Sequence, residues 1–304
     1  MNIENYRLFL RAARLGSLTA AAEQSGYTQA AVSHIIAGLE QEFGFPLFTR
    51  SKAGVALTKD GERMLNHIRE VVNRDDITHQ VADEIKGLQS GRVRIGAFSS
   101  AAVCWLPDII RDFKALYPNI ELDLRVDTYK TIEDWIANEE VDCGFTSRTE
   151  GKELEYIPLA EDRMLALLPD GHPFAELPAL PLECISKMDF IIPGEGSNYD
   201  VGRILRSAGI KPRVSFAVSD DYAAIAMVKK GLGMTIIPEL ILRGIGQTGN
   251  AMELVPKCTR TICLAAKAHT AVSPACRAFI AFVRRSLDRW DAGPENGADG
   301  AKKA

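Results

Sequence analysis

Apolar positions recur in a helical rhythm up to about residue 90, and in alternating strand and helix rhythms after it. Tyr6, Phe9, Leu10 and Ala13 predict a first helix over residues 3–14. Ser17 can cap a short helix rich in Ala20, Ala21 and Ala22, because its hydroxyl accepts from an otherwise unpaired first-turn N–H. Gly26 can close that helix in the left-handed conformation, and Thr28 can cap the next. At about 100° per residue, Val32, Ile36, Leu39 and Phe43 then share one face. Ala30, Ser33, His34, Ala37 and Gln41 share the opposite one. So small and polar a face suits a helix lying in a DNA major groove about 12 Å wide, where Gln29 and His34 can meet base edges. The pattern alone equally fits a solvated amphipathic helix.

Phe45-Pro46-Leu47-Phe48 stops the helical pattern, and Ser51 to Val55 supply a small hairpin with Gly54 at its turn. Arg50 and Lys52 can meet phosphates or the minor groove there; for Lys52 an ordinary surface charge is the competing reading. Thr58 opens a long helix whose stripe of Met64, Leu65, Ile68, Val71, Val72, Val81, Ile85 and Leu88 is interrupted from Asn73 to Asp76. A helix of about thirty residues spans roughly 45 Å, more than a small domain needs. Pairing with a second copy would bury the stripe, and packing on its own domain is the alternative. Gln89-Ser90-Gly91 closes this segment.

Beyond it, Arg92–Phe98, Glu121–Val126 and Val141–Phe145 read as strands separated by helices at 103–116 and 132–137. A second set follows, with strands at Met164, Phe190, Val214 and Thr235 and helices at 201–208 and 222–230. This order predicts two α/β lobes with parallel or mixed sheets. The strand at 261–266 should return the chain to the first lobe, where the helix at 274–290 packs. Residues 291–304, rich in Gly, Ala and charge, read as a disordered tail.

With 304 residues and 46% hydrophobic content, the chain is long enough for two or three packed domains. Its formal net charge of -4 argues against indiscriminate nucleic-acid binding, so any DNA affinity must be local and doubled by a second subunit. Six scattered cysteines form no C-x-x-C pair, which favours reduced, buried thiols over zinc and fits a cytoplasmic protein. No signal peptide or apolar run long enough for a membrane is expected.

The first segment resembles the winged helix-turn-helix of the LysR-type transcriptional regulators. The resemblance is carried by Phe9, Ser17, Ala21, Ala22, Gln29, Val32, Ser33, Ile36, Leu39, Glu40, Gly44, Leu47, Phe48, Arg50, Leu57, Thr58 and Gly61. Two positions depart from the family pattern: Ser25 stands where a leucine is usual, and Ala30 where a proline is usual. The first is expected to loosen packing between helices, and the second removes a rigid helix start. The later chain is similar to the family's effector-binding domain, with Gly231-Leu232-Gly233-Met234 and Pro238 matching its glycine turn.

The resemblance implies a multidomain α+β chain: a winged helix-turn-helix over 1–61, a linker and dimerisation helix over 58–90, and an effector domain over 91–290 of the type II periplasmic-binding-protein architecture. Lobe one would take about 91–160 and 266–290, and lobe two about 161–265. Double-stranded DNA would meet Thr28, Gln29, Ala30, Ser33, His34, Arg50 and Lys52, through a homodimer or homotetramer.

Catalytic chemistry finds no support. Gly244-Ile245-Gly246-Gln247-Thr248-Gly249 fits G-x-G-x-x-G, but it follows the helical ELILR and reads as a loop. The five histidines are far apart, and no nucleophile, acid or base set converges. Neither cofactor nor metal is expected. Hydroxyls at strand ends are the purposeful polar groups, since ligands of open α/β sheets gather there beside helix N-termini. By similarity to the family, Ser99, Ser100, Thr128, Thr146 and Ser197 are expected to contact an effector, here a carboxylate or other small anion. For any one of them a helix cap or turn is the competing role. The competing functions are a solute-binding protein, which would need an export signal and no winged segment, and a two-domain α/β enzyme.

Overall fold

The computed structural model describes residues 2–290 except 52–53, 88, 148–153, 247–249 and 269–271, without the side chains of 195–198 and 287–290. Residues up to Ser90 and residues from Gly91 on form, in the main, two compact units. Among the described residues, no helix is long and apolar enough to cross a membrane.

The first unit comprises α1 (Ile3–Leu15), α2 (Leu18–Ser25), α3 (Gln29–Phe43), the hairpin β1 (Phe48–Ser51) and β2 (Gly54–Leu57), and α4 (Lys59–Ile85). Local chemistry sets each boundary. Ser17 accepts from Ala20 N–H, Thr28 from Ala31 N–H and Thr58 from Gly61 N–H, while Gly26 ends α2 at φ 70°. Tyr6, Leu8, Phe9, Ala21, Val32, Ile36, Leu39, Leu47 and Phe48 form the core. Gly61 is required by close approach: a Cβ there would lie 2.2 Å from the Leu47 carbonyl oxygen.

Two expectations change here. Ser25 does not leave a gap, because its hydroxyl donates to the Ala21 carbonyl at 2.6 Å and accepts from Arg11, tying α1 to α2. The long apolar stripe is divided between two fates. Ile68 and Val72 are buried in the unit's own core, with Met64 and Leu65 packed against it. Val81 and Ile85 remain exposed, Ile85 at 82%. The polar interruption is explained by Arg7 of α1, which pairs with Asp75 at 2.9 Å and Asp76 at 2.6 Å.

The second unit contains β3 (Gly91–Ala97), α5 (Ser99–Cys104), α6 (Leu106–Leu116), β4 (Ile120–Val126), α7 (Tyr129–Ala137) and β5 (Cys143–Ser147). The crossing strand β6 (Leu154–Leu167), β7 (Leu180–Pro181), β8 (Asp189–Ile192), α8 (Glu195–Ser207), β9 (Arg213–Ala217) and α9 (Asp221–Lys229) follow. β10 (Thr235–Pro238), α10 (Glu239–Gly244), β11 (Ala251–Val255), β12 (Thr259–Lys267) and α11 (Pro274–Trp290) complete it. The main sheet runs β4-β3-β5-β12-β6-β11-β7, with β10 also on β6.

β3 is parallel to β4 and β5, whereas β12 is antiparallel to β5 (Leu264↔Phe145) and to β6 (Leu264↔Ile157), which makes the sheet mixed. β12 thus brings the chain back beside β5, and Phe279 and Phe282 of α11 pack edge-on against Phe113 of α6. The first half of β6, with β7 and β11, has no counterpart in the strands expected from the pattern. The expected helix at 103–116 is two, α5 and α6, meeting at Trp105. Gly244 ends α10, and Gln247, Thr248 and Gly249 of the glycine-rich stretch lie outside the described residues. So do residues 291–304, the segment read as a tail. All six cysteines are free, three of them buried and three half-buried.

Candidate functional site

In the first unit, α3 buries Val32, Ile36 and Leu39 at 2% exposure or less, and leaves Thr28, Gln29, Ala30 and His34 exposed. Such an asymmetry presents small polar side chains on an uncovered ridge. Ser33 is half-buried, and its hydroxyl accepts from the exposed Arg50 of β1 at 3.1 Å, so helix and hairpin are joined at the ridge. Lys52 lies outside the described residues. Glu40 faces inward and accepts from the Leu47 and Phe48 N–H groups at 2.7 and 3.1 Å, which fixes the entry into the hairpin.

In the second unit, the carboxyl ends of β3, β4, β8 and β9 open onto one cavity of about 350 Å³. Its lining includes Phe98, Ser99, Ser100, Val126, Asp127, Thr128, Gly194, Tyr222 and Arg260. Ser99, Ser100 and Thr128 are therefore where the strand-end reading put them. Thr146 is a correction: it is fully buried on β5, gives its hydroxyl to the Ser147 carbonyl at 3.1 Å, and does not line this cavity. β5 is buried at every position, Thr146 included. Ser197 falls in the first turn of α8, and its side chain lies outside the described residues. Gly194 is needed where it is, since a Cβ would stand 2.9 Å from the Asp221 nitrogen.

Sequence reasoning missed the charged floor of this cavity. Arg260 on β12 is 1% exposed and donates to Asp162 at 2.7 and 2.9 Å, to Ser100 Oγ at 2.9 Å and to Tyr129 Oη at 2.7 Å. Its guanidinium also lies 4.9 Å from the centre of the Phe98 ring. The Tyr129 hydroxyl donates to Asp200 at 3.1 Å, and Ser147 reaches the same carboxylate at 3.5 Å. The network thus joins strands β6 and β12 to α5 through Ser100, to α7 through Tyr129, to β5 through Ser147 and to α8 through Asp200.

Burial works against the Arg260 charge, but Tyr129, Asp162 and Asp200 outweigh it and hold its pKa above the ordinary value. Burial pushes the Asp162 and Asp200 carboxyls up, against the pull of Arg260. The one signal available in the sequence was an arginine inside the otherwise uncharged strand TRTICLAA.

The description "Bacterial regulatory helix-turn-helix protein, lysR family" matches residues 3–62, and "LysR substrate binding domain" matches residues 86–288. The chain belongs to the LysR family. A regulator of this family from Bacillus subtilis, the uncharacterized HTH-type transcriptional regulator YvbU, is 32% identical over 93% of this chain and 98% of its own. A full-length OxyR variant from Pseudomonas aeruginosa has the same fold, with a TM-score of 0.76 at 21% identity over 94% of both chains. The effector-binding domain of QuiR in complex with shikimate gives 0.60 at 21% identity, over 66% of this chain and 98% of that one. This LysR-type chain is a DNA-binding transcriptional regulator with an effector-binding domain, and not an enzyme.

Proposed function

We propose that this regulator acts in the cytoplasm as a homodimer or homotetramer joined through α4, binds a pseudo-palindromic operator, and responds to a small molecule with an anionic group seated in the cleft of its second unit. The observation that carries the DNA reading is the exposed polar ridge of α3 opposite its buried apolar face. Thr28, Gln29, Ala30 and His34 are assigned to base edges, with Ser33 behind them, and Arg50 and Lys52 to phosphates. The oligomer reading is supported by Val81 and Ile85, exposed on the distal half of α4. The effector reading is supported by the hydroxyls of Ser99, Ser100 and Thr128 on a cavity at strand carboxyl ends. QuiR, with shikimate in a domain of this fold, is the analogy behind it.

The test is a footprint of the full chain on DNA from its own upstream region, with base substitutions in each half-site. Protection of two related half-sites that needs the ridge residues supports the reading. Protection insensitive to base sequence would overturn it.

A further inference from the structure

The cleft carries a charge pattern that a simple anion does not match. Three carboxylates, Asp127, Asp220 and Asp221, line the cavity, against the single guanidinium of Arg260, which Asp162 already engages. Two helix starts at the cavity hold carboxylates of the chain itself. Asp127 Oδ1 accepts from Thr128 N–H at 2.7 Å before α7, and Asp220 Oδ1 from Ala223 N–H at 2.9 Å in α9. A ligand carboxylate at either place would meet like charge. By contrast, the hydroxyls of Ser99 and Ser100 face the same cavity beside Arg260. Hydroxyls beside a guanidinium accept a negative group. Phe98, Val126 and Tyr222 supply the apolar wall.

We infer that the effector is a small zwitterion of the amino-acid type. Its carboxylate meets the hydroxyls of Ser99 and Ser100, its ammonium meets Asp127, Asp220 and Asp221, and its side chain lies on Phe98, Val126 and Tyr222. The inference rests on the reading of this cavity as the effector site. A volume of about 350 Å³ suits it, at the small end of ligand pockets.

Thermal shift followed by calorimetry on the full-length protein tests this with three matched sets: the twenty common L-amino acids, their N-acetyl derivatives and their methyl esters. At least one free amino acid should raise the melting temperature, and masking either end should weaken its binding at least tenfold. Asp220→Asn keeps a capping side chain at the start of α9 and Asp127→Asn leaves the Thr128 cap of α7 in place, while each removes a charge, so each should weaken the same amino acid by a similar factor. A response to N-acetyl derivatives as strong as to the free forms would overturn the zwitterion and leave the cleft as an anion site. No response in any set would also overturn it. An amino acid that binds unchanged to both variants would place the effector site elsewhere and sink the reading of the cleft as well.

Discussion

Gln29 and Arg50 are expected to fail in different ways when removed. Gln29 is exposed on the ridge of α3, so Gln29→Ala should lose about 1 to 3 kcal/mol of preference for the true operator while binding to unrelated DNA stays nearly constant. Arg50→Ala should weaken every sequence alike and reduce the slope of log K against log salt by about one. The 3.1 Å bond between Arg50 and Ser33 adds a condition. Ser33→Ala releases the arginine, so the two substitutions should not add, with a coupling of about 0.5 kcal/mol or more in a double-mutant cycle. Titrations at several salt concentrations separate these outcomes, and strict additivity would mean that the bond has no role on DNA.

Asp200 gives a pH test of the buried network. Burial raises its folded-state pKa above the unfolded value near 3.9, so the protonated carboxyl favours the folded state. That contribution is fully present below the unfolded value and is lost as pH rises through the folded one. The stability of wild type relative to Asp200→Asn should therefore fall as pH rises from about 4, and level off above the folded value. Melting curves of both proteins across this range would show it; a difference independent of pH would mean that Asp200 ionises as freely as an exposed aspartate.

At the scale of elements, α4 shows how far a pattern can be read. Its stripe has one period throughout, and periodicity says which face is buried but not by what. Ile68, at 2% exposure, belongs to the core of its own unit, so Ile68→Asp should unfold that unit and cannot report on assembly. Ile85→Asp is the informative change: the unit should stay folded while sedimentation shows a shift towards monomers and operator binding weakens. Unaltered association would mean that the oligomer is built on another surface.

The winged unit was legible because its signals are local: a capping hydroxyl, a glycine C-cap and an apolar face within a few residues of one another. The first half of β6 was not, because from Leu154 to Glu161 half-buried and exposed positions follow no two-residue rhythm. Ser100, Arg260 and Asp162 were read separately or not at all, since Arg260 lies 160 residues from Ser100 and 98 from Asp162 along the chain. Hydroxyls at strand ends could be placed by topology; the charges beneath them depend on which strands become neighbours.

At the scale of the whole molecule, regulation needs a ligand that prefers one arrangement of the protein, because one that binds two arrangements equally shifts neither. The bond from Tyr129 to Asp200 links α7 to α8, and Arg260 holds the same hydroxyl from β12. The two helices are thus held together by the chain's own side chains. Tyr129→Phe removes only the hydroxyl, leaving the ring beside Phe98 at 5.1 Å and Asp200 short of one donor. The population of the bonded arrangement should fall, and the apparent affinity of a ligand that prefers it should fall by the same factor. Coupling between ligand and operator usually lies between about 5- and 150-fold, so even a modest loss is measurable as a weaker change in operator affinity on adding ligand. Operator titrations of wild type and Tyr129→Phe, with and without a ligand found by the thermal-shift screen, supply the four affinities. If ligand affinity and the ligand-induced change are both unaltered, the lobes are held by their strands alone and the buried network serves only to satisfy the charge of Arg260.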